Sequence, residues 1–276
     1  MSAANTSIQS VLYDAPGPKA RRRIAVITGI SLVAIAALLA VILRQFYITG
    51  QLDTKYWSIF TRYTTWRFLG RGFLGTIEVA LGAGAMAFAA GMLLMMGRIS
   101  RYRVLRGICT VIVQFCRGIP TLLLIYFFFL VIPQFGIQLP AYWKIALPLS
   151  ISAMGVTAET LRSGVNAVPK GQTEAAVSLG MRSGSVFFKI VFPQAFRYVI
   201  PALISEMVIV LKDTTYAYVV NYADMMQNAK VLISNYDALL AVYLVVAVIY
   251  IIINYLLNKL SVAIAARSPA SAAAAK

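Results

Sequence analysis

Six apolar runs separated by polar segments form the dominant pattern along this chain. A membrane-spanning helix needs about 20 mostly apolar residues, because the hydrocarbon layer of a bilayer is about 30 Å thick. The fourth and fifth runs are the weakest by hydropathy, because charged residues lie in them or at their ends. The pattern predicts an all-α polytopic membrane protein with six spans: Ile24–Leu43, Gly72–Gly97, Gly107–Pro133, Lys144–Ala158, Ile190–Leu211 and Ala238–Asn258.

Composition supports a membrane protein and excludes several other classes. Hydrophobic residues make up 60% of the chain, charged residues only 12%, and the mean hydropathy is +0.79. A soluble domain has roughly 45–50% apolar and about 25% charged residues. The net charge of +16 is spread thinly between apolar runs, so it does not indicate a nucleic-acid surface. The chain has no histidine, which excludes His-based catalytic triads and zinc sites, and we expect no metal centre.

Basic residues in short loops predict the orientation of the spans. Lys and Arg are frequent before the first run, after the second, after the fourth and in the tail, which six spans place together on the cytoplasmic side. Both termini are therefore predicted to be cytoplasmic. Arg21-Arg22-Arg23 before the first run is typical of a signal peptide, but that run ends at Arg44 without a small-residue cleavage site. We interpret it as a retained helix.

The same pattern divides the chain into five predicted segments. Residues 44–71 are rich in aromatic and basic residues, and although the topology places them outside, such a segment is also typical of a membrane interface. No internal repeat is visible. The predicted segments are a cytoplasmic N-terminal segment 1–23, a first transmembrane helix 24–43, an external or interfacial loop 44–71, a transmembrane domain 72–260 and a disordered cytoplasmic tail 261–276.

The connection between the fourth and fifth runs, at about 165–190, carries specific helix signals. Pro169 and Gly171 are expected to end any helix that leaves the fourth run. Gln172–Leu179 then favours a short helix, with Glu174 in its first turn, where a negative charge suits the helix dipole. Gly180 suits the left-handed residue that commonly ends a helix. The connection is therefore predicted to hold a short surface helix on the cytoplasmic side.

This connection and several shorter motifs resemble a known family of membrane permeases. Glu174-Ala175-Ala176 followed by Gly180, and then by Ile190 and Pro193, is similar to the EAA loop of permease subunits in binding-protein-dependent ABC importers. The likeness extends over about residues 70–260 and is closest to the polar amino acid permeases, which include the histidine and glutamate permeases. Three residues, Ile119, Phe192 and Tyr216, depart from the family pattern. The further motifs that carry the likeness are Pro169-Lys170-Gly171-Gln172, Pro193-Gln194-Ala195, Pro201, Leu211-Lys212-Asp213-Thr214, Gly75-Thr76 and Arg117-Gly118-Ile119-Pro120.

The resemblance implies a five-helix permease core of a type I ABC importer, to which the first run is an extra N-terminal helix. It also implies a coupling helix that docks on a cytoplasmic ATPase. Glu174 would pair with a basic residue of that subunit, Ala175 and Ala176 would allow close approach, and Gly180 would turn the chain away. The implied coupling residues are Gln172, Glu174, Ala175, Ala176 and Gly180.

The implied assembly has two ATP-binding subunits, a second permease subunit (a sister chain or a second copy), an extracellular solute-binding protein and an amino acid substrate in a bacterial cell membrane. Glutamate or glutamine systems of high-GC Gram-positive bacteria are the most similar. The chain has no GxxxxGK[ST] phosphate loop, so ATP and Mg would be bound by the partner ATPase and no cofactor by this chain. It is therefore not expected to be an enzyme.

Ionisable residues inside a membrane are costly and are often functional. Glu206 lies within the fifth run, and Lys212 and Asp213 follow about two helical turns later, too far along one helix to pair directly with it. These three and Thr214 are the candidate substrate-pathway residues. Two interpretations stay open for each: Glu206 lies at a cavity or subunit interface or makes a structural hydrogen bond. Lys212 and Asp213 hold the α-carboxylate and α-ammonium of an amino acid in a midplane cavity or form an interface pair at a helix end. The alternative function is a stand-alone secondary transporter or channel for a small polar solute, in which the loop at 165–190 has no role.

Overall fold

The computed structural model describes residues 17–266, and every regular element in that range is helical, which confirms the all-α class. Most of the predicted N-terminal segment 1–23 and residues 267–276 of the predicted tail lie outside the described residues. Residues 261–266 of that tail are helical, because the last helix continues to Ala266. The described residues fall into two compact units, which divide between Tyr56 and Trp57.

The first unit consists mainly of one long apolar helix, α1, Pro18–Ile48. Pro18 occupies its first position, where the fixed φ of proline suits a helix start and its missing N–H is not needed. The helix ends at Thr49, whose Oγ1 donates a hydrogen bond to the Gln45 carbonyl oxygen at 2.9 Å. Every residue from Gly17 to Gln45 is exposed. An apolar helix of about 46 Å with its whole surface exposed is suited to contact with lipid.

Residues 44–71 are more helical than the predicted loop. Helix α1 runs to Ile48, a short helix α2 covers Thr54–Trp57, a 3₁₀ turn covers Ser58–Thr61, and α3 begins at Tyr63. Aromatic rings cluster around the 3₁₀ turn, where the indole N–H of Trp66 donates to the Phe60 carbonyl oxygen at 2.7 Å. An amphipathic aromatic residue held this way is typical of the membrane–water interface.

Helix α3, Tyr63–Arg98, is the centre of the second unit, and its buried face is made of small residues. Because these residues have little or no side chain, other helices approach its backbone closely. A Cβ on Gly91 would lie 2.9 Å from Thr157, and one on Gly84 would lie 2.4 Å from Met207. Small residues that recur every fourth position, such as Ala83, Ala87 and Gly91, therefore pack against other helices of the same chain. The buried small residues of this face are Gly72, Gly75, Thr76, Ala80, Ala83, Gly84, Ala87 and Gly91.

Two glycines of α3 offer a matched test of this packing. A Cβ on Gly75 would lie 2.4 Å from the backbone oxygen of Ala223, whereas one on exposed Gly70 would meet nothing within 4 Å. We expect Gly75→Ala to lower the free energy of unfolding by roughly 1–3 kcal/mol, because backbone cannot move aside cheaply. Gly70→Ala should leave it unchanged or raise it by up to roughly 1 kcal/mol, since alanine favours helix. Melting temperatures in the same detergent would measure both, and equal values would contradict the packing.

The third predicted span, Gly107–Pro133, is broken, which corrects the expectation of one continuous helix. Helix α4, Arg103–Gly118, ends before Pro120, and α5, Thr121–Tyr126, begins after it. Pro120 has no N–H and disfavours helix at the residue before it. Helix α5 continues as a π-helix, Phe127–Val131, and a 3₁₀ turn, Ile132–Phe135. The axes on the two sides of the break differ in direction by 94°.

Helix α6, Ala141–Ala167, extends beyond the predicted fourth span and packs on α3, α4 and α9. In the C-terminal third of α6, Glu159 forms ion pairs with Arg98, the last residue of α3, and with Arg162 on α6 itself. These side chains are half-buried, so they hold the ends of α3 and α6 together where α6 leads into the next connection. Glu159 directly follows the predicted fourth span, and the sequence alone did not indicate these ion pairs.

The remaining helices complete the bundle. After α6 come α7, Lys170–Ser178, and α8, Ser183–Val186, followed by a π-helix, Phe187–Val191, that leads into α9, Phe192–Asp213. A 3₁₀ segment, Thr214–Val220, connects α9 to α10, Met225–Tyr236, and α11, Leu239–Ala266, ends the described chain. Helix α9 packs between α6 and α11.

Four stretches of the described chain are long and apolar enough to cross a membrane, and a fifth qualifies if α4 and α5 together count as one bent span. Helix α6 is about 40 Å long and contains Lys144, Glu159 and Arg162, and it is not among them. The multi-span character of the chain is thus confirmed, and the count of six spans stays a prediction. The four stretches are Pro18–Ile48, Tyr63–Arg98, Ser183–Val220 and Leu239–Ile264.

Candidate functional site

The surface helix predicted between the fourth and fifth runs is present as α7. It begins at Lys170, two residues before the predicted start, so Glu174 lies beyond its first turn and the expected interaction with the helix dipole is wrong. Its end is as predicted, because Gly180 has φ +76°. The amide of Gly180 donates to the Val177 carbonyl at 2.9 Å and that of Met181 to the Ala176 carbonyl at 3.1 Å. Both bonds belong to the motif in which glycine ends a helix.

The five candidate coupling residues of α7 do not all face the same way. Gln172, Glu174, Ala175 and Gly180 are exposed, whereas Ala176 is buried. Ala176 packs in an apolar cluster with Val168, Val186, Val191 and Ala195, which attaches α7 to the end of α6 and the start of α9. The exposed side of α7 is therefore available to a partner, and Ala176 holds the helix to its own chain.

A groove of about 530 Å³ runs beside α7. Val168, Val177 and Phe187 contribute apolar walls, and Lys170 and Glu174 contribute charges. The Glu174 carboxylate makes no ion pair with any described residue. Leu179, at the end of α7, has 83% of its surface exposed, which is unusual for a leucine and leaves an apolar contact beside the charged one.

Glu206 is buried where α3, α6 and α9 meet. Its Oε1 accepts a hydrogen bond of 2.7 Å from the Thr157 hydroxyl on α6, and its Oε2 is buried without a hydrogen-bond partner in the described part of the chain. The carboxylate borders a cavity of about 60 Å³ with otherwise mostly apolar walls, among them Gly84 and Met207. A cavity of this size holds a water molecule or two but no amino acid. Glu206 thus makes a structural hydrogen bond and also borders a small cavity.

Lys212 lies apart from Glu206, in a separate groove between α9 and α11. This groove has a volume of about 380 Å³, and Asn254 and Asn258 of α11 line its other wall. Asp213 and Thr214 do not line it. Thr214 is fully buried, and its hydroxyl donates to the Leu211 carbonyl at 2.7 Å. The four candidate pathway residues therefore do not form one site.

Several polar residues that the fold brings to these sites were not predicted from the sequence. Asn254 and Asn258 could have been identified from the sequence, because two polar amides four residues apart lie on one face of an otherwise apolar helix. Thr157 could not, since a threonine in an apolar run is commonly a neutral packing residue. Cys109 and Cys116 are free and buried, as packing residues are.

A buried polar junction joins α10 to the first half of α3. Asp224 caps α10, with its Oδ1 accepting a hydrogen bond of 2.8 Å from the Gln227 amide, while its Oδ2 is buried without a partner in the described residues. The Met225 amide donates to Thr76 Oγ1 at 3.2 Å, and the Asn228 side chain donates to the Phe68 carbonyl at 2.7 Å. Burial of Asp224, which lies outside the spanning segments, raises the pKa of its carboxyl to about 6.

The raised pKa predicts a pH-dependent effect of Asp224→Asn. The ordinary pKa of 3.8 is lower than the folded-state pKa of about 6, so ionisation costs stability as the pH rises between these values. Asparagine also caps helices. We expect the variant to be more stable than wild type above pH 6, by up to roughly 3 kcal/mol, and the difference to vanish near pH 4.

Melting temperatures of both proteins from pH 4 to 8 would measure this effect. The same change at Asp237, an exposed residue after α10, is the control. A difference between Asp224→Asn and wild type that does not change with pH would contradict the prediction.

Comparison with known proteins adds a family and several relatives. The family model for a binding-protein-dependent transport system inner membrane component matches residues 87–268. The glutamate transport system permease protein GluD of Corynebacterium glutamicum is 38% identical over 217 residues, which are 77% of this chain and 79% of that protein. The probable glutamine ABC transporter permease protein GlnP of Bacillus subtilis is 32% identical over 194 residues, 69% of this chain and 89% of its own length.

Solved structures agree with these relatives. A chain in the crystal structure of an amino acid ABC transporter with histidines superimposes with a TM-score of 0.71 at 26% sequence identity, covering 77% of this chain and 98% of that one. A chain of the inward-facing MetNI methionine ABC transporter has a TM-score of 0.57 at 17% identity and supports the fold alone.

Proposed function

The chain belongs to the family of binding-protein-dependent transport system inner membrane components, and on that basis we propose that it is the membrane-spanning permease subunit of an ABC importer for a polar amino acid. The single observation that carries the proposal is α7, an exposed helix with Glu174-Ala175-Ala176 and a left-handed Gly180, held between the ends of two long helices. The relatives do not favour the stand-alone transporter or channel.

In this proposal α7 is the coupling helix. Its exposed residues Gln172, Glu174 and Ala175 contact an ATPase subunit, and the unpaired Glu174 carboxylate pairs with a basic residue there. Ala176 acts differently from the sequence-based expectation, because its buried side chain fastens α7 to α6 and α9. ATP-driven closure of two ATPases then moves α7, and the apolar cluster passes that movement to both helices as a rigid-body change.

The ion pairs of Arg98, Glu159 and Arg162 support this transmission. They connect the end of α3 to α6 close to the point where α6 leads into α7. A movement of α7 therefore reaches α3 through charged contacts as well as through the small-residue face. The chain itself supplies movement and a pathway, while ATP and Mg are bound by the separate ATPase.

The proposed complex has two ATP-binding subunits, a second permease subunit that is a sister chain or a second copy, and an extracellular solute-binding protein. We place it in a bacterial cell membrane with both termini in the cytoplasm, because the basic loops then lie on the inner side. Glutamate or glutamine is the proposed substrate, because the chain is similar to a glutamate transport system permease and to a probable glutamine permease.

Co-purification from native membranes tests the assembly. A tagged chain extracted in mild detergent should retain an ATPase subunit and hydrolyse ATP, and Glu174→Arg should lose both while the chain itself remains in the membrane. A chain that purifies alone, with amino acid uptake driven by an ion gradient, would favour the stand-alone transporter instead.

A further inference from the structure

The groove between α9 and α11 is lined by five polar side chains, those of Ser205, Lys212, Asn254, Tyr255 and Asn258. Both helices belong to stretches that are long and apolar enough to span a membrane. Asn254 is about 23 Å from the start of α11 at Leu239 and about 15 Å from Ile264, which places it in the middle part of the span. A lysine at the centre of a bilayer costs roughly 2.5–3.5 kcal/mol on insertion scales. Lys212 therefore requires water or an anionic partner.

The described chain offers Lys212 one nearby carboxylate, that of the adjacent Asp213, which attracts it electrostatically without forming an ion pair. Neither Asp213 nor Glu206 lines the groove that Lys212 enters. Asn254 has the complementary feature, because its Oδ1 is buried and accepts no hydrogen bond from the described residues. The groove thus combines a cation with an unused acceptor, and Asn258 and Ser205 add further polar groups on its two walls.

Resting on the proposed function, we infer that this groove holds the α-carboxylate and α-ammonium groups of the amino acid in transit. Lys212 binds the carboxylate by a charge-assisted contact, with Asn258 as an additional amide donor. The Asn254 Oδ1 accepts a hydrogen bond from the ammonium group. A volume of about 380 Å³ is within the usual size of a small-ligand site.

The geometry distinguishes this inference from a site made of Lys212 and Asp213. Adjacent residues on a helix point about 100° apart, and Asp213 does not line the groove that Lys212 enters. The ammonium partner is consequently an amide oxygen on α11 rather than the neighbouring carboxylate on α9. All α-amino acids share the α-carboxylate and α-ammonium groups. The groove therefore binds these two groups, and other residues contact the side chain of the substrate.

The test uses the complete transporter in proteoliposomes, with its solute-binding protein and ATPase, and L-glutamate and L-glutamine as probes. Lys212→Met and Asn254→Leu remove the two polar groups at similar volume. We expect each to lower the initial uptake rate of both amino acids by about tenfold and by the same factor. ATP hydrolysis stimulated by the loaded binding protein should stay within about twofold of wild type.

Lys230→Met is the matched control, because Lys230 is exposed on α10, outside the groove, with its ammonium 4.8 Å from the ring centre of Tyr218. It should transport normally. Unchanged uptake in Lys212→Met, loss of glutamate uptake alone, or loss of the paired permease on size-exclusion chromatography would each overturn the inference. A wild-type complex that hydrolyses ATP but imports neither amino acid would instead contradict the proposed function.

Discussion

Glu174→Arg should abolish ATP-driven uptake, lowering its rate by roughly 100-fold or more, while the protein remains folded and inserted. The carboxylate is exposed on α7 and makes no ion pair within the described chain, so its loss leaves no buried group unpaired. Arginine is a good helix former and keeps α7 intact. A positive charge at this point would face the basic residue proposed on the ATPase, and like charges across an interface cost several kcal/mol.

Graded variants separate the coupling role from a general effect of charge. Glu174→Gln should have an intermediate rate, because the amide keeps a hydrogen-bond acceptor but loses the charge. Asp53→Arg, a charge reversal in the segment predicted to lie outside, should transport normally. Normal uptake together with normal substrate-stimulated ATP hydrolysis in Glu174→Arg would rule out the coupling role of this helix.

Glu206→Leu should lower uptake by roughly 30-fold, the equivalent of about 2 kcal/mol, with little loss of folded protein. Leucine fits mostly apolar surroundings, and replacing a buried charged group by a well-packed apolar one is often neutral for stability. Transport should suffer because Glu206 joins α6 to α9 through Thr157 and borders the cavity that also touches α3. These three helices must change their packing when the bundle switches between outward and inward access.

Thr157→Val supplies the contrast for Glu206. Removing the hydroxyl leaves both carboxylate oxygens without a partner among the described residues and should cost roughly 1–3 kcal/mol of stability. Glu206→Gln, which keeps an acceptor for Thr157, should preserve most of the uptake. If Glu206→Leu transports at the wild-type rate, the carboxylate is a packing feature and has no place in the pathway.

Local sequence signals predicted the parts of the candidate site that depend on neighbouring residues. The end of α7 follows from Gly180, the only residue type that adopts a left-handed conformation without steric cost, and its place after an Ala-rich turn was readable in the sequence. The apolar runs likewise located the long helices, since their periodicity and length reflect the bilayer. The start of α7 shifted by two residues because Pro169 ends one helix and also precedes the next.

Features that depend on distant contacts were not predictable in the same way. The inward direction of Ala176 depends on Val186 and Val191, which meet it only after the chain has turned. Pro120 indicated that the helix ends near Gly118. The 94° change in helix direction was not predictable, because the chain is apolar on both sides of the break. Only the packing of α9 against α11 brings Lys212 to Asn254.

ATP-driven uptake by the reconstituted complex tests the central claim most directly. Proteoliposomes that contain the chain, its permease partner, the ATPase and the loaded solute-binding protein would be given labelled L-glutamate or L-glutamine with ATP inside or outside, and with or without an ion gradient. Accumulation that requires ATP on the ATPase side, persists without a gradient and is lost in Glu174→Arg is the predicted result. Accumulation driven by the ion gradient alone, without the ATPase, would contradict the account.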